Sequence, residues 1–137
     1  MTHEEKALNY FSSNFNCSQS VLAAFAGEVG IEEKTALMLA TNFGGGARKA
    51  EMCGAVSGAV LAIGMKYGTT DGADTDGKKL CYEKVREFSD EFRKTNPSIV
   101  CRELLGLDRK EEYTFGNENR LFRVSFNEAK QQYVLEQ

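Results

Sequence analysis

Residues 43–68 read FGGGARKAEMCGAVSGAVLAIGMKYG, and this stretch decides the fold. Three consecutive glycines form a turn, and the apolar residues after them recur at helical spacing. We therefore predict a helix from about Lys49 to Lys66. Small residues recur at every fourth position of this helix: Ala50, Gly54, Gly58 and Ala62. Because each interior glycine costs about 1 kcal/mol relative to alanine, we predict that another helix, from this chain or a second copy, packs closely on this stripe.

The rest of the chain also has the period of helices rather than of strands. Asn16 is a favourable N-cap residue, and Gln19 follows it at the spacing of a capping box. The predicted helices run from about Glu4 to Phe15, Asn16 to Gly30, Glu32 to Asn42, Lys78 to Lys94, Asn96 to Gly106 and Leu121 to Leu135. The prediction is an all-α fold in which residues 1–137 form a single domain, an orthogonal or bundle-like array of six or seven helices.

Composition and charge argue against several classes of partner. The chain has 137 residues and a formal net charge of −3, and its cations are scattered among acidic residues. Because there is no basic block, we expect no nucleic-acid partner. The longest apolar run, Ala59 to Met65, is too short to span a bilayer, and the first residues do not resemble a signal peptide. We therefore expect no membrane insertion and a cytoplasmic location, where thiols are kept reduced.

The four cysteines, at positions 17, 53, 81 and 101, are the residues that point to chemistry. None of them forms a CxxC pair, so any shared site must be assembled by the fold from distant helices. Each cysteine also lies on the apolar face of its predicted helix. A buried, inert cysteine would occupy the same position, so burial alone does not indicate a function.

Two of the cysteines have neighbours that favour a thiolate. Cys17 directly follows its N-cap, so it lies in the first helical turn, where the dipole and free amide groups stabilise negative charge. Cys53 lies near the start of its predicted helix, after the glycine turn and close to Arg48 and Lys49. We therefore predict lowered thiol pKa values, and we predict that alkylation at pH 7 modifies Cys17 or Cys53 before Cys81.

The glycine turn, Gly44-Gly45-Gly46, does not match a phosphate-binding loop. No GK[ST] sequence follows it, and no parallel strand is predicted before it. We predict instead that the three glycines let helices and a small ligand approach one another closely.

Three segments together resemble a redox-active protein family that is named for its motif, C…CGAxxG…C…C. They are NCSQSV at 16–21, FGGGARKAEMCGAVSGA at 43–59 and CRELLG at 101–106. The motif itself is the run from Cys53 through Gly54 to Gly58, and the resemblance covers about residues 14–106. It implies a small helical protein with a redox role. Carried over residue by residue, it implies that the functional cysteines are Cys17, Cys53 and Cys101.

The chain departs from this family in its fourth cysteine. The resemblance implies a last cysteine at the start of a final helix, around Phe122 to Phe126, but no cysteine follows Cys101. Cys81 precedes the CRELLG segment and does not clearly match a family position, so its role in a shared site is doubtful.

The sequence leaves three functions open. The first is a thiol-based redox protein, similar to a thiol–disulfide oxidoreductase, in which Cys17 or Cys53 attacks, and Cys101 or the other of the pair resolves the disulfide. Its redox partner cannot be named from the sequence. The second is a binding module in which Cys17, Cys53 and Cys101 hold a soft metal ion or an iron–sulfur cluster as cofactor. The third is a helical partner protein with inert thiols and no cofactor. We also expect a homodimer, the commonest assembly of small intracellular proteins.

Overall fold

The computed structural model describes residues 1–106, 123–127 and 132–136. In these residues the chain forms six α-helices and one antiparallel pair of strands. The helices are α1 (His3–Ser12), α2 (Cys17–Val29), α3 (Glu33–Ala40), α4 (Gly54–Tyr67), α5 (Thr75–Thr95) and α6 (Cys101–Leu104), and the strands are β1 (Arg123–Asn127) and β2 (Gln132–Glu136). The helices confirm the predicted all-α architecture. None of the described helices is both long and apolar enough to cross a membrane.

Helices α2 and α4 form the centre of the fold, and both are buried along most of their length. Helices α1 and α3 pack on α2, while α5 packs on α4. The α5 helix is amphipathic and buries Phe88 and Phe92 completely. Burying each of these rings stabilises the fold by roughly 1.5–3 kcal/mol. The strand β1 runs beside α1, and β2 runs beside α5.

The small-residue stripe of α4 is the surface that contacts α2. A β-carbon added to Gly58 would lie 2.8 Å from the carbonyl oxygen of Ser18 and 3.0 Å from Cβ of Val21. A β-carbon added to Gly54 would lie 2.5 Å from Sγ of Cys17. The prediction of a closely packed helix is confirmed, and that helix belongs to the same chain. Because α2 fills the stripe, the stripe is no argument for a second copy, and the homodimer stays a prediction.

The predicted start of the central helix is wrong by more than a turn, because α4 begins at Gly54 and not near Lys49. The residues before it form a wide turn, Gly46–Ala50, with left-handed backbone at Ala47 (φ 57°), Arg48 (φ 62°) and Ala50 (φ 57°). A right-handed helix cannot include residues of this conformation. Alanine and lysine are good helix formers, so the sequence alone does not reveal this turn.

The predicted final helix, Leu121 to Leu135, is wrong in its described part. Residues 123–127 and 132–136 are antiparallel strands, in a register that pairs Val124 with Leu135 and Phe126 with Tyr133. Val124 and Phe126 alternate with polar residues in β1, whereas Tyr133, Val134 and Leu135 are consecutive apolar residues of β2. The remaining residues of the predicted helix, 121–122 and 128–131, lie outside the described part of the chain.

The helix predicted to start at the Asn96 cap instead begins at Cys101. Asn96 ends α5 in extended backbone, and its buried side chain donates a hydrogen bond from Nδ2 to the carbonyl oxygen of Phe92 (3.1 Å). The chain then bends at residues 97 and 99 before Val100, the extended residue that precedes α6. As a consequence, Cys101 is the first residue of its helix.

We predict that Gly58→Ala destabilises the protein, because the added methyl group would press on Ser18 and Val21 of α2. Overpacking of this kind costs about 1–3 kcal/mol, which should appear in the free energy of unfolding from urea denaturation. The matched control is Gly64→Ala in the same helix, since a β-carbon there meets nothing within 4 Å. That variant should be stabilised by up to about 1 kcal/mol. Equal effects of the two substitutions would contradict the close packing.

Candidate functional site

The first residue of α2, Cys17, is held in place by the cap in front of it. The predicted capping box is present: the Asn16 side chain accepts a hydrogen bond from the backbone N–H of Gln19, and the Asn16 backbone N–H donates to Oε1 of Gln19 (3.0 Å). The Asn16 side chain also donates from Nδ2 to the carbonyl oxygen of Thr41 (2.8 Å). The cap therefore fixes the start of α2 to the segment that follows α3.

Two neighbouring side chains strengthen this attachment. The hydroxyl group of the buried Ser18 donates to the carbonyl oxygen of Ala40, and Nε2 of Gln19 donates to the carbonyl oxygen of Leu37 (3.0 Å). Sequence reasoning recognised Asn16 and Gln19 only as a cap and did not recognise Ser18. Because all three tie α2 to the end of α3, they position Cys17 rather than touch it.

The thiol of Cys17 lies against the start of α4. Its Sγ is 2.5 Å from the place that a β-carbon of Gly54 would occupy, and the carbonyl oxygen of Phe43 is 2.9 Å from the same place. Only glycine leaves room for both groups. The residue directly before Gly54 is Cys53, so the contact brings Cys17 beside the second cysteine of the motif.

Cys53 and Cys101 are neighbours across a short antiparallel bridge. The N–H of Cys53 donates to the carbonyl oxygen of Ile99 (2.7 Å), and the N–H of Cys101 donates to the carbonyl oxygen of Glu51 (2.5 Å). Met52 and Val100 form the central pair of this bridge. Because side chains alternate along extended chains, Cys53 and Cys101 point to the same side of the bridge, as diagonal neighbours.

The three cysteines of the family resemblance therefore lie together, each at the start of a helix. We call Cys17, Cys53 and Cys101 the cysteine cluster. Cys17 is the first residue of α2, Cys53 is the N-cap of α4, and Cys101 is the first residue of α6. Their side chains are almost inaccessible, with exposed fractions of 6%, 2% and 5% respectively. All three are free thiols.

Burial controls the acidity of the central thiol. The pKa of Cys53 is raised to about 12, chiefly by desolvation and next by the negative charge of the nearby Cys17. The backbone N–H groups of Val56 and Ala55, in the first turn of α4, lower it, while Cys101 adds a smaller rise. Burial therefore outweighs the stabilisation of a thiolate by the N–H groups at the start of α4, and Cys53 is a protonated thiol at neutral pH.

This arrangement contradicts the predicted acidity of Cys53 and bears on the predicted order of alkylation. The pKa of Cys53 is raised and not lowered, because the thiol is buried while Arg48 and Lys49 are exposed on the turn. Cys81 is half-buried, whereas Cys17 and Cys53 are buried, so in the closed structure Cys81 is the more accessible to alkylation.

Cys81 lies apart from the other three thiols. Its Sγ is 4.0 Å from the carbonyl oxygen of Ile63, between α5 and α4. Ile63 is ten residues along α4 from Cys53, which corresponds to about 15 Å of helix. Cys81 therefore does not contribute to the cysteine cluster, which agrees with its doubtful match to the family.

The glycine turn brings the backbone close to the cluster. A β-carbon on Gly44 would overlap the Asn16 side chain, and one on Gly46 would lie 3.0 Å from Cβ of Cys101. Gly45 has a left-handed backbone (φ 65°). The glycines thus permit a close approach of the chain to the Asn16 cap and to Cys101, and the predicted approach of a small ligand stays a prediction.

The described residues contain no group of three His, Cys, Asp or Glu side chains that could hold a metal ion. All four cysteines are among the described residues, so Cys17, Cys53 and Cys101 do not form such a group. The geometry therefore gives no support to the predicted alternative of a metal or iron–sulfur site made of Cys17, Cys53 and Cys101.

The chain matches a known protein family. A family model described as "Putative redox-active protein (C_GCAxxG_C_C)" matches residues 15–130. The chain belongs to this family. The match is longer than the resemblance at about residues 14–106, and it includes the region after Cys101 where the family's last cysteine was expected and none is present. No curated protein and no solved structure matches the chain.

In this chain Cys53 directly precedes Gly54. The order in this chain has a structural reason. Position 54 has no space for a side chain, because Cys17 fills it, while position 53 is the N-cap of α4 and faces the cluster.

We predict that the rate of Cys53 alkylation by iodoacetamide rises about tenfold per pH unit between about pH 7 and 10, without a plateau. The physical reason is that only the thiolate reacts, and burial keeps the pKa of Cys53 above this range. Mass mapping of the modified peptide measures the rate. N-acetylcysteine is the control, and its rate should level off above a pKa of about 8.5. A plateau for Cys53 near pH 7 would contradict the raised pKa.

Proposed function

We propose that the protein is a thiol–disulfide redox protein in which Cys17 and Cys53 form the exchanging pair. The observation that supports this best is the contact between Sγ of Cys17 and the start of α4, 2.5 Å from the β-carbon position of Gly54. It puts the thiol of Cys17 beside Gly54, the residue that directly follows Cys53. The charge of Cys17 also acts on Cys53 more strongly than that of Cys101 does.

The reaction is an exchange of two electrons and two protons. The reduced protein carries thiols at Cys17 and Cys53, and its redox partner carries a disulfide. One thiol loses its proton and attacks a sulfur atom of the partner, which forms a mixed disulfide and releases one partner thiolate. The second thiol of the pair, as thiolate, then attacks the mixed disulfide. The protein is left with a Cys17–Cys53 disulfide, and the partner leaves with two thiols.

The helix starts support this chemistry. During exchange a thiolate develops on Cys17 or Cys53, and the N–H groups of Val56 and Ala55 already lower the pKa of Cys53. Helix N-termini stabilise negative charge by about 0.3–1 kcal/mol each at exposed sites, and by more in partly buried ones. A reducing compartment such as the cytoplasm would keep the pair as thiols until an oxidised partner arrives.

Cys101 is the less suitable partner for Cys53. Diagonal neighbours across an antiparallel bridge lie roughly 7–8 Å apart, whereas a disulfide needs Cα atoms about 4.4–6.8 Å apart. The two hydrogen bonds of the bridge would have to break to shorten that separation. We therefore assign Cys101 to the surroundings of the pair, where it adds to the rise of the Cys53 pKa.

We predict that mild oxidation with oxidised glutathione consumes two thiols and forms one internal disulfide, between Cys17 and Cys53. Thiol counting and peptide mass mapping identify the bond, and circular dichroism checks that the helices remain. Cys17→Ala and Cys53→Ala should abolish the disulfide, because each removes one member of the pair. Cys101→Ala should retain it, and Cys81→Ala is the matched control outside the cluster. A disulfide between Cys53 and Cys101, or no internal disulfide in folded protein, would contradict the proposal.

A further inference from the structure

The cysteine cluster is covered by a segment that we call the strap, residues 44–52. At one end, Cα of Gly44 lies 3.0 Å from the β-carbon position of Gly54, directly beside Sγ of Cys17. In its middle, a β-carbon on Gly46 would lie 3.0 Å from Cβ of Cys101. The strap then leads into Cys53. It therefore passes close to all three cysteines.

The strap has a strained backbone. Ala47, Arg48 and Ala50 adopt left-handed conformations, with φ of 57°, 62° and 57°, although none of them is glycine. Such conformations are unfavourable for residues with a β-carbon, and they occur where the surrounding structure enforces them. When the strap leaves the cluster, these residues can return to negative φ, so the strain favours opening.

Among the contacts that hold the strap closed, several polar ones lie at its C-terminal end. The two backbone hydrogen bonds of the bridge join Cys53 to Ile99 and Glu51 to Cys101, the first residue of α6. In addition, Nη1 of Arg102 lies 2.9 Å from Oε2 of Glu51 and donates to the carbonyl oxygen of Ala50 (3.4 Å). Both side chains of this ion pair are substantially exposed. An exposed pair contributes little stability and is weakened by salt, so it can break without unfolding the protein.

We propose that the strap is a gate over the cysteine cluster. It opens when the Glu51–Arg102 ion pair and the bridge hydrogen bonds break, and the thiols react only in the open state. The first half of this inference concerns access and stands by itself. The second half, that the gate regulates disulfide exchange at Cys17 and Cys53, rests on the proposed function. The gate explains how thiols with exposed fractions of 2–6% can react with a macromolecular disulfide.

The test uses the fully reduced protein and iodoacetamide at a fixed pH, with mass mapping of Cys53. Arg102→Ala removes the ion pair and the hydrogen bond to Ala50, so the Cys53 alkylation rate should rise about two- to fivefold. Glu51→Gln should act in the same direction, and so should added salt on the unmutated protein. Lys94→Ala is the matched control, because it removes an ion pair on α5, between the exposed Lys94 and Glu91, that is not part of the strap. It should leave the rate unchanged.

A second variant should act in the opposite direction. Ala47→Gly removes the penalty for positive φ at an exposed position of the strap, which stabilises the closed state. The Cys53 alkylation rate should fall several-fold. A variant that simply loosened the fold would raise the rate, so the two substitutions together distinguish gating from general destabilisation.

The urea midpoint of each variant is measured beside its alkylation rate. The gate is supported if the Cys53 rate changes while the midpoint does not. It is overturned if Arg102→Ala leaves the rate unchanged, or if the rate follows global stability alone. These measurements use the reduced protein and need no disulfide. If they contradict the gate, the separate test for a Cys17–Cys53 disulfide is not affected. Likewise, a missing disulfide leaves the access measurement valid.

Discussion

The close contact of α2 with α4 is the constraint on which the site depends. Gly54 and Gly58 have no β-carbons, so Cys17, Ser18 and Val21 of α2 lie directly against α4. The glycines weaken α4 as an isolated helix, and the packing that they permit offsets this cost. The same contact brings the starts of the two helices together, and each start carries a cysteine. The packing that stabilises the core therefore also assembles the thiols, without a CxxC pair in the sequence.

Two opposing effects act on Cys53. The start of α4 stabilises a thiolate, but burial disfavours it more strongly, so the pKa rises to about 12. Because the folded pKa lies above that of an unfolded cysteine, this thiol favours folding at neutral pH, and the contribution is lost as the pH rises from about 9 towards 12. In the proposed cycle, the reduced state is thus a closed, resting state. Reaction requires that water and a partner reach the thiol, which connects the redox chemistry to the movement of the strap.

The sequence predicted the parts of the fold that depend on local periodicity. The helices, the Asn16 cap and the stripe at Gly54 and Gly58 follow from spacing and residue size. The hairpin was missed because apolar residues near Val124 and Tyr133 fit a helix almost as well as two short strands. The left-handed turn before α4 was missed because Ala47 is a good helix former. The acidity of the central thiol was predicted with the wrong sign, since helix position can be read from a sequence whereas depth of burial cannot.

The central claim is that Cys17 and Cys53, and not Cys101, form the redox pair of a cluster assembled by α2 and α4. The 13Cβ chemical shifts of the four cysteines, measured by NMR in the reduced and the oxidised protein, test it most directly. The account predicts that oxidation moves the Cys17 and Cys53 resonances into the range of disulfide-bonded cysteine, while those of Cys81 and Cys101 stay in the range of free thiols. If Cys101 moves in place of Cys17, or if all four resonances stay unchanged in the oxidised sample, the account is contradicted.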